Sequence, residues 1–149
     1  MSRLVISAGH LDAAGKHAAA SYPDECCGVL IGRSLGDDTV VERLLSADNE
    51  RDDSRHNRYL INPETVLAAQ KEARARGLDV VGYYHSHPDH PAVPSEFDRE
   101  HAWPGVSYLI VSVEKGNVAD ARSWRLADDR EKFDEEKIEE TEIEKEAVR

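Results

Sequence analysis

The chain has 149 residues, the size of one ordinary domain, and its 40% hydrophobic content is enough for a single core. Its 30 acidic residues against 19 basic ones give a formal charge of −11, which repels phosphate backbones and excludes the electrostatic footprint of a nucleic-acid binder. No apolar run approaches the roughly 18 residues of a membrane span, and the start is too short an apolar stretch for a signal peptide, so a soluble cytoplasmic protein away from membranes is expected.

Leu4 to Ser7 reads as a short strand, and the alanine-rich stretch Ala8 to Ser21 as a helix ending near Tyr22-Pro23. Cys27 to Gly32 and Thr39 to Leu45 read as strands joined by a hairpin turn over Ser34 to Asp38, with Glu25 at the mouth of the first. Residues Ala47 to Arg58 are polar, without apolar periodicity, and mark a surface loop leading to the extended segment Tyr59-Leu60-Ile61. Asn62-Pro63-Glu64 combines a cap residue with proline at the first helical position, and Gly77 supplies the matching stop. Asp79 to His87, Val106 to Val113 and Ala119 to Leu126 read as three further strands. Beyond Ala127 the composition turns to Asp, Glu and Lys, which predicts one strand around Phe133 and then a solvated or partly helical tail.

The chemistry concentrates after the strand Asp79 to His87. Residues two apart on a strand point to one face, so His85 and His87 can converge on a single point. Pro88 and Pro94 stiffen the following loop, and Ser95-Glu96-Phe97-Asp98 reads as the first turn of a short helix that returns Asp98 toward the strand end. Ser-x-x-Asp is equally a capping box, in which both side chains satisfy helix amides. Two histidines and one carboxylate give zinc three protein ligands and an open fourth position, the arrangement of catalytic sites. Such a site needs a carboxylate outside the ligand set to move protons, and Glu25 is the candidate.

Glu25, then His85-Ser86-His87-Pro88, then Asp98 preceded by Pro94-Ser95, resembles the motif of the JAMM (MPN-plus) metallopeptidases at every signature position. The segment Tyr22 to Leu30 is similar to the start of short prokaryotic members, and the resemblance spans Leu4 to about Leu126. Residues 1–127 are therefore expected to form the metallopeptidase domain and 128–149 an acidic C-terminal extension. The resemblance implies an α/β, cytidine-deaminase-like fold, a central mixed sheet flanked by helices. It also implies one zinc on His85, His87 and Asp98, Glu25 as acid/base, and Ser95 as hydrogen-bond donor to the oxyanion. The implied substrate is a peptide or isopeptide bond after the C-terminal glycine of a ubiquitin-like or sulfur-carrier protein. Ubiquitin itself is disfavoured, because the compact sequence leaves little room for the insertions that recognise it.

Other residues carry no assignment. His90 and His101 near the motif read as surface or supporting groups, and His10, His17 and His56 rank lower. Trp103 and Trp124 read as packing, and Asp24 as a solvated carboxylate. Cys26 and Cys27 are sequence neighbours that cannot form an ordinary unstrained disulfide and read as small buried side chains. A silent protein-binding scaffold of the same fold is the alternative function, disfavoured by the intact ligand set. A zinc deaminase lacks its Pro-Cys-x-x-Cys signature here.

Overall fold

The computed structural model describes residues 2–49 and 61–142. The expected extended segment Tyr59-Leu60-Ile61 and His56 therefore lie wholly or largely outside the described residues, as do 143–149 of the tail.

The first strand, β1 (Arg3–Ser7), runs straight into α1 (Ala8–Ser21), whose cap is Ser7: its Oγ accepts from the amide of His10 at 3.1 Å. β2 (Cys27–Leu35) and β3 (Asp38–Ala47) form the expected hairpin, longer than the apolar runs alone indicate. Its turn is only Gly36-Asp37, and Gly36 sits at φ 63°, a left-handed conformation that glycine takes without strain. α2 (Pro63–Ala75) starts on Asn62, whose side chain accepts from the amide of Glu64 at 2.8 Å, and stops before Gly77 at φ 74°. β4 (Asp79–Pro88), α3 (Glu96–His101), β5 (Ser107–Glu114) and β6 (Asn117–Leu126) follow. Lys115 and Gly116 between β5 and β6 both have positive φ, the type I′ pattern that matches the twist of a two-residue hairpin.

The strands form a mixed sheet in the order β1-β3-β2-β4-β5-β6, and the last strand, β7 (Phe133–Thr141), joins both ends. It pairs antiparallel to β6 and parallel to β1, with Leu4 opposite Ile138, so the sheet closes into a barrel. The charged C-terminal stretch supplies the closing strand of the mixed sheet. Only Glu136 of β7 is fully buried, and Ile138 two positions on packs against the core. The Glu136 carboxylate accepts from Ser123 Oγ at 2.7 Å and from Arg125 Nε at 2.6 Å, while Arg125 reaches Thr39 Oγ1 at 2.6 Å. That network, centred on the buried Glu136 carboxylate, ties β3, β6 and β7 together.

The larger core cluster lies between α1 and the strands, where Ala14 and Ala18 meet Leu4, Ile6, Leu30, Tyr84, Leu109 and Val111. The second lies where Ala69 and Ala73 of α2 meet Val29 and Ile31. Alternation along β2 separates the two: Leu30 faces α1, while Val29 and Ile31 face α2. Gly28 lies opposite Tyr84, and a Cβ there would stand 2.0 Å from the Tyr84 ring. Glycine is needed at that position because the ring fills the space; the phenol is in turn held by His17 Nδ1 at 2.7 Å.

Candidate active site

β2 and β4 pair with Cys27 opposite His85. Two further hydrogen bonds carry the pairing past the end of β2: Ser86 N donates to Cys26 O at 3.2 Å, and Cys26 N donates to Ser86 Oγ at 2.8 Å. The middle residue of His85-Ser86-His87 therefore holds the approach to β2, and continuing the same register puts Glu25 across from His87. Glu25, His85 and His87 are all buried, at 4%, 1% and 6% exposure.

α3 brings the third group. Ser95 caps it, with its Oγ accepting from the amide of Asp98 at 3.0 Å, while the amide of Ser95 donates to Asp98 Oδ2 at 2.9 Å. The capping box expected as one reading of Ser-x-x-Asp is present. The same Asp98 oxygen lies 3.3 Å from His85 Nε2 and 3.0 Å from His87 Nε2. The cap uses a lone pair of Ser95 Oγ and leaves the hydroxyl proton for a further acceptor.

The donor set suits a small divalent cation. Two ligand atoms each about 2.0–2.1 Å from a tetrahedral zinc stand about 3.3 Å apart, close to the observed Nε2–Oδ2 separations. Candidate ligand atoms of all three residues lie within 4.8 Å of one another, and among the described residues no other His, Cys, Asp and Glu group of this kind occurs. His87 Nδ1 is 2.9 Å from the carbonyl of Pro91. That bond fixes the ring with a proton on Nδ1 and leaves Nε2, which shares its proton with Asp98 in the metal-free protein, as the nitrogen free to ligate once that proton is displaced, the usual outer support of a ligating histidine. His90 and His101 do not join the group.

The electrostatics follow from burial and proximity. Burial pushes the Glu25 carboxyl up to about 8, against the pull of His87 and with the help of Asp98. Burial acts on Asp98 too, but the two imidazoles and the Ser95 amide outweigh it and hold Asp98 well below the usual carboxylate range. His87 is raised overall: desolvation opposes its charge, and the Asp98 hydrogen bond overcomes that. Glu25 Oε1 has no hydrogen-bond partner among the described residues. A buried, unpaired carboxylate oxygen is expensive in a folded protein and is kept where chemistry requires it.

Several supporting residues escape the sequence reading. Three successive carbonyls of the loop between the ligands are each held: Ser112 Oγ donates to His90 O at 2.6 Å, His87 to Pro91 O, and Trp124 Nε1 to Ala92 O at 3.0 Å. Trp124, expected to be packing alone, thus also anchors this loop, whereas Trp103 is 68% exposed. Asn49 Nδ2 donates to the carbonyl of Glu25 at 3.1 Å. Cys26 is buried with its thiol pushed up to about 11, chiefly by desolvation, and is no nucleophile at neutral pH.

Residues 7–127 match a family described as prokaryotic homologs of the JAB domain. A desampylase from Haloferax volcanii is 40% identical over 116 residues, 74% of this chain and 81% of its own length. A CysO-cysteine peptidase from Mycobacterium tuberculosis is 32% identical, covering 84% of each chain. A solution structure of a Desulfitobacterium hafniense protein superposes with a TM-score of 0.83 at 32% identity, over 98% of each chain.

Proposed function

The chain belongs to the family of prokaryotic JAB-domain proteins, and from that premise we propose that it is a zinc-dependent peptidase. Its substrate is the peptide or isopeptide bond after the C-terminal glycine of a ubiquitin-like or sulfur-carrier protein. The observation that carries the reading is the buried Glu25 carboxyl, with one oxygen unpartnered, across the strand pair from His87. Support for the substrate class comes from the relatives named desampylase and CysO-cysteine peptidase.

His85 and His87, through Nε2, and Asp98, through its carboxylate, are the residues that would hold the zinc. When bound, the ion supplies Lewis-acid polarisation of the scissile carbonyl and makes water acidic enough to lose a proton near neutral pH. Glu25 takes that proton and passes it to the departing amine; a cation held by His85, His87 and Asp98 would favour the ionised carboxylate that this role needs. Ser95 donates its free hydroxyl proton to the oxyanion that forms on the carbonyl. Pro91 keeps His87 in the ligating tautomer throughout.

Finer parts of the reading accompany this. The mixed sheet with α1 and α2 against its two faces suits a cytidine-deaminase-like classification. Residues 1–127 carry the proposed catalytic groups, and the acidic stretch 128–149 contributes β7 (Phe133–Thr141) to the same barrel. Two buried thiols suit a reducing cytoplasm, and among the described residues no helix is long and apolar enough to cross a membrane.

The test is intact-mass analysis of a carrier protein extended beyond its C-terminal glycine. Release of a product ending at that glycine, abolished by a chelator and restored by zinc, is expected. A zinc-loaded protein that leaves every such tail intact would favour the scaffold reading.

A further inference from the structure

Asp89 follows the ligand strand directly and has φ 58°, a left-handed conformation uncommon for a residue with a side chain. Its backbone and side chain join three separate segments. The amide donates to Val113 O at 2.6 Å at the end of β5. One carboxylate oxygen accepts from the amide of Lys115, in the β5–β6 turn, at 2.9 Å, and the other accepts from Tyr22 Oη at 2.6 Å. The Tyr22 ring lies beside that same turn, its Cδ2 4.0 Å from where a Cβ on Gly116 would be.

The consequence lies in what each segment carries. Tyr22 caps α1 and stands three residues before Glu25. Asp89 stands two residues after His87 and two before Pro91, whose carbonyl orients the His87 ring. One carboxylate therefore links the stretch bearing the proton-transfer group to the stretch bearing a metal ligand. It anchors both to a rigid type I′ turn that does no chemistry itself.

We propose that Asp89 is a positioning residue: through Tyr22 it sets the separation of Glu25 from the histidine pair, and through the loop it holds the Pro91 carbonyl against His87. The proposal rests on the peptidase reading for its effect on turnover, but its effect on the metal ligands can be measured without any substrate. Misplacing a reacting group by about 1 Å can lower turnover about 100-fold, and loss of outer support to a ligating histidine lowers metal affinity about 10- to 100-fold.

Three variants of the full chain separate the roles. Tyr22→Phe deletes one hydroxyl from an exposed hydrogen bond, and is expected to lower kcat about tenfold with KM within about twofold and zinc affinity unchanged. Asp89→Gly relieves the backbone conformation but removes both side-chain ties; it is expected to lower kcat at least as far, to weaken zinc about tenfold, and to alter the visible spectrum of the cobalt-substituted protein. Asp89→Asn tolerates the same conformation and keeps polar atoms for both partners, so it should restore kcat, zinc affinity and spectrum to near the parent values. Parent kcat in Tyr22→Phe overturns the link to Glu25. Parent zinc affinity and cobalt spectrum in Asp89→Gly overturn the link to His87. A parent protein that cleaves no carrier tail refutes the peptidase reading instead, and zinc affinity and spectrum of Asp89→Gly still decide whether Asp89 positions the ligands.

Discussion

Replacing Glu25 with glutamine should stabilise the metal-free protein while abolishing hydrolysis. The Glu25 carboxyl moves from 4.5 in the unfolded chain to about 8 in the folded one, mainly because burial disfavours its charge. The group thus binds its proton more tightly in the native state, and its contribution is most favourable below about pH 4.5. It declines by about 1.4 kcal/mol per pH unit as pH rises and levels off above about 8, a span of roughly 5 kcal/mol. Glutamine is nearly isosteric, carries no charge, and removes that dependence. Denaturant unfolding of parent and Glu25→Gln in a chelator, from pH 4.5 to 9, measures it: the gap between them should widen in favour of glutamine up to about pH 8 and then stay constant. Taking the difference cancels contributions from His87 and Asp98 to first order. With zinc present the gap should narrow, because a neighbouring cation favours the ionised carboxylate. A pH-independent gap would refute the claim that Glu25 is held neutral by burial.

Asp98→Ala should lose zinc binding, measured by metal content after dialysis, and weaken α3 by about 1 kcal/mol through loss of the capping box, measured by unfolding. Ser95→Ala should lower kcat about 100- to 1,000-fold if the hydroxyl serves the oxyanion, whereas the cap accounts for only about 1 kcal/mol of stability; Ser95→Thr, which retains both functions, should recover much of the rate. Gly28→Ala should destabilise the fold by at least about 2 kcal/mol, because its Cβ meets the Tyr84 ring within the core; thermal unfolding checks this. Glu136→Ala should leave Arg125 partly buried without its carboxylate and destabilise the closed barrel by about 3 kcal/mol, with amide exchange rising first along β7 and β1.

The local elements are legible because their signals are local. Asn62-Pro63 and Gly77 bracket α2, and the period-two spacing of His85 and His87 puts both imidazoles on one face of β4. The first turn of α3 returns Asp98 to them, as the Ser-x-x-Asp spacing requires. The barrel closure is not legible. A strand around Phe133 is expected, but its run to Thr141 and its role in closing the barrel are not, because only Glu136 among its polar residues is buried, and a buried glutamate is invisible without its partners Ser123 and Arg125, which come from another strand. The same limit hides Asp89 and Trp124: what each does depends on segments brought together by the fold, Tyr22 and Lys115 for the one and the Ala92 carbonyl for the other. Ser95 was open to two readings because a hydroxyl both accepts and donates; the cap occupies only its accepting side.

The most direct test of the proposed chemistry compares parent and Glu25→Gln for zinc content and for cleavage of a carrier protein extended past its C-terminal glycine. One zinc per chain in both, with cleavage only by the parent, is the expected result, since Glu25 moves protons and does not ligate. Equal cleavage by both, or loss of zinc from the glutamine variant, would contradict the role assigned to Glu25.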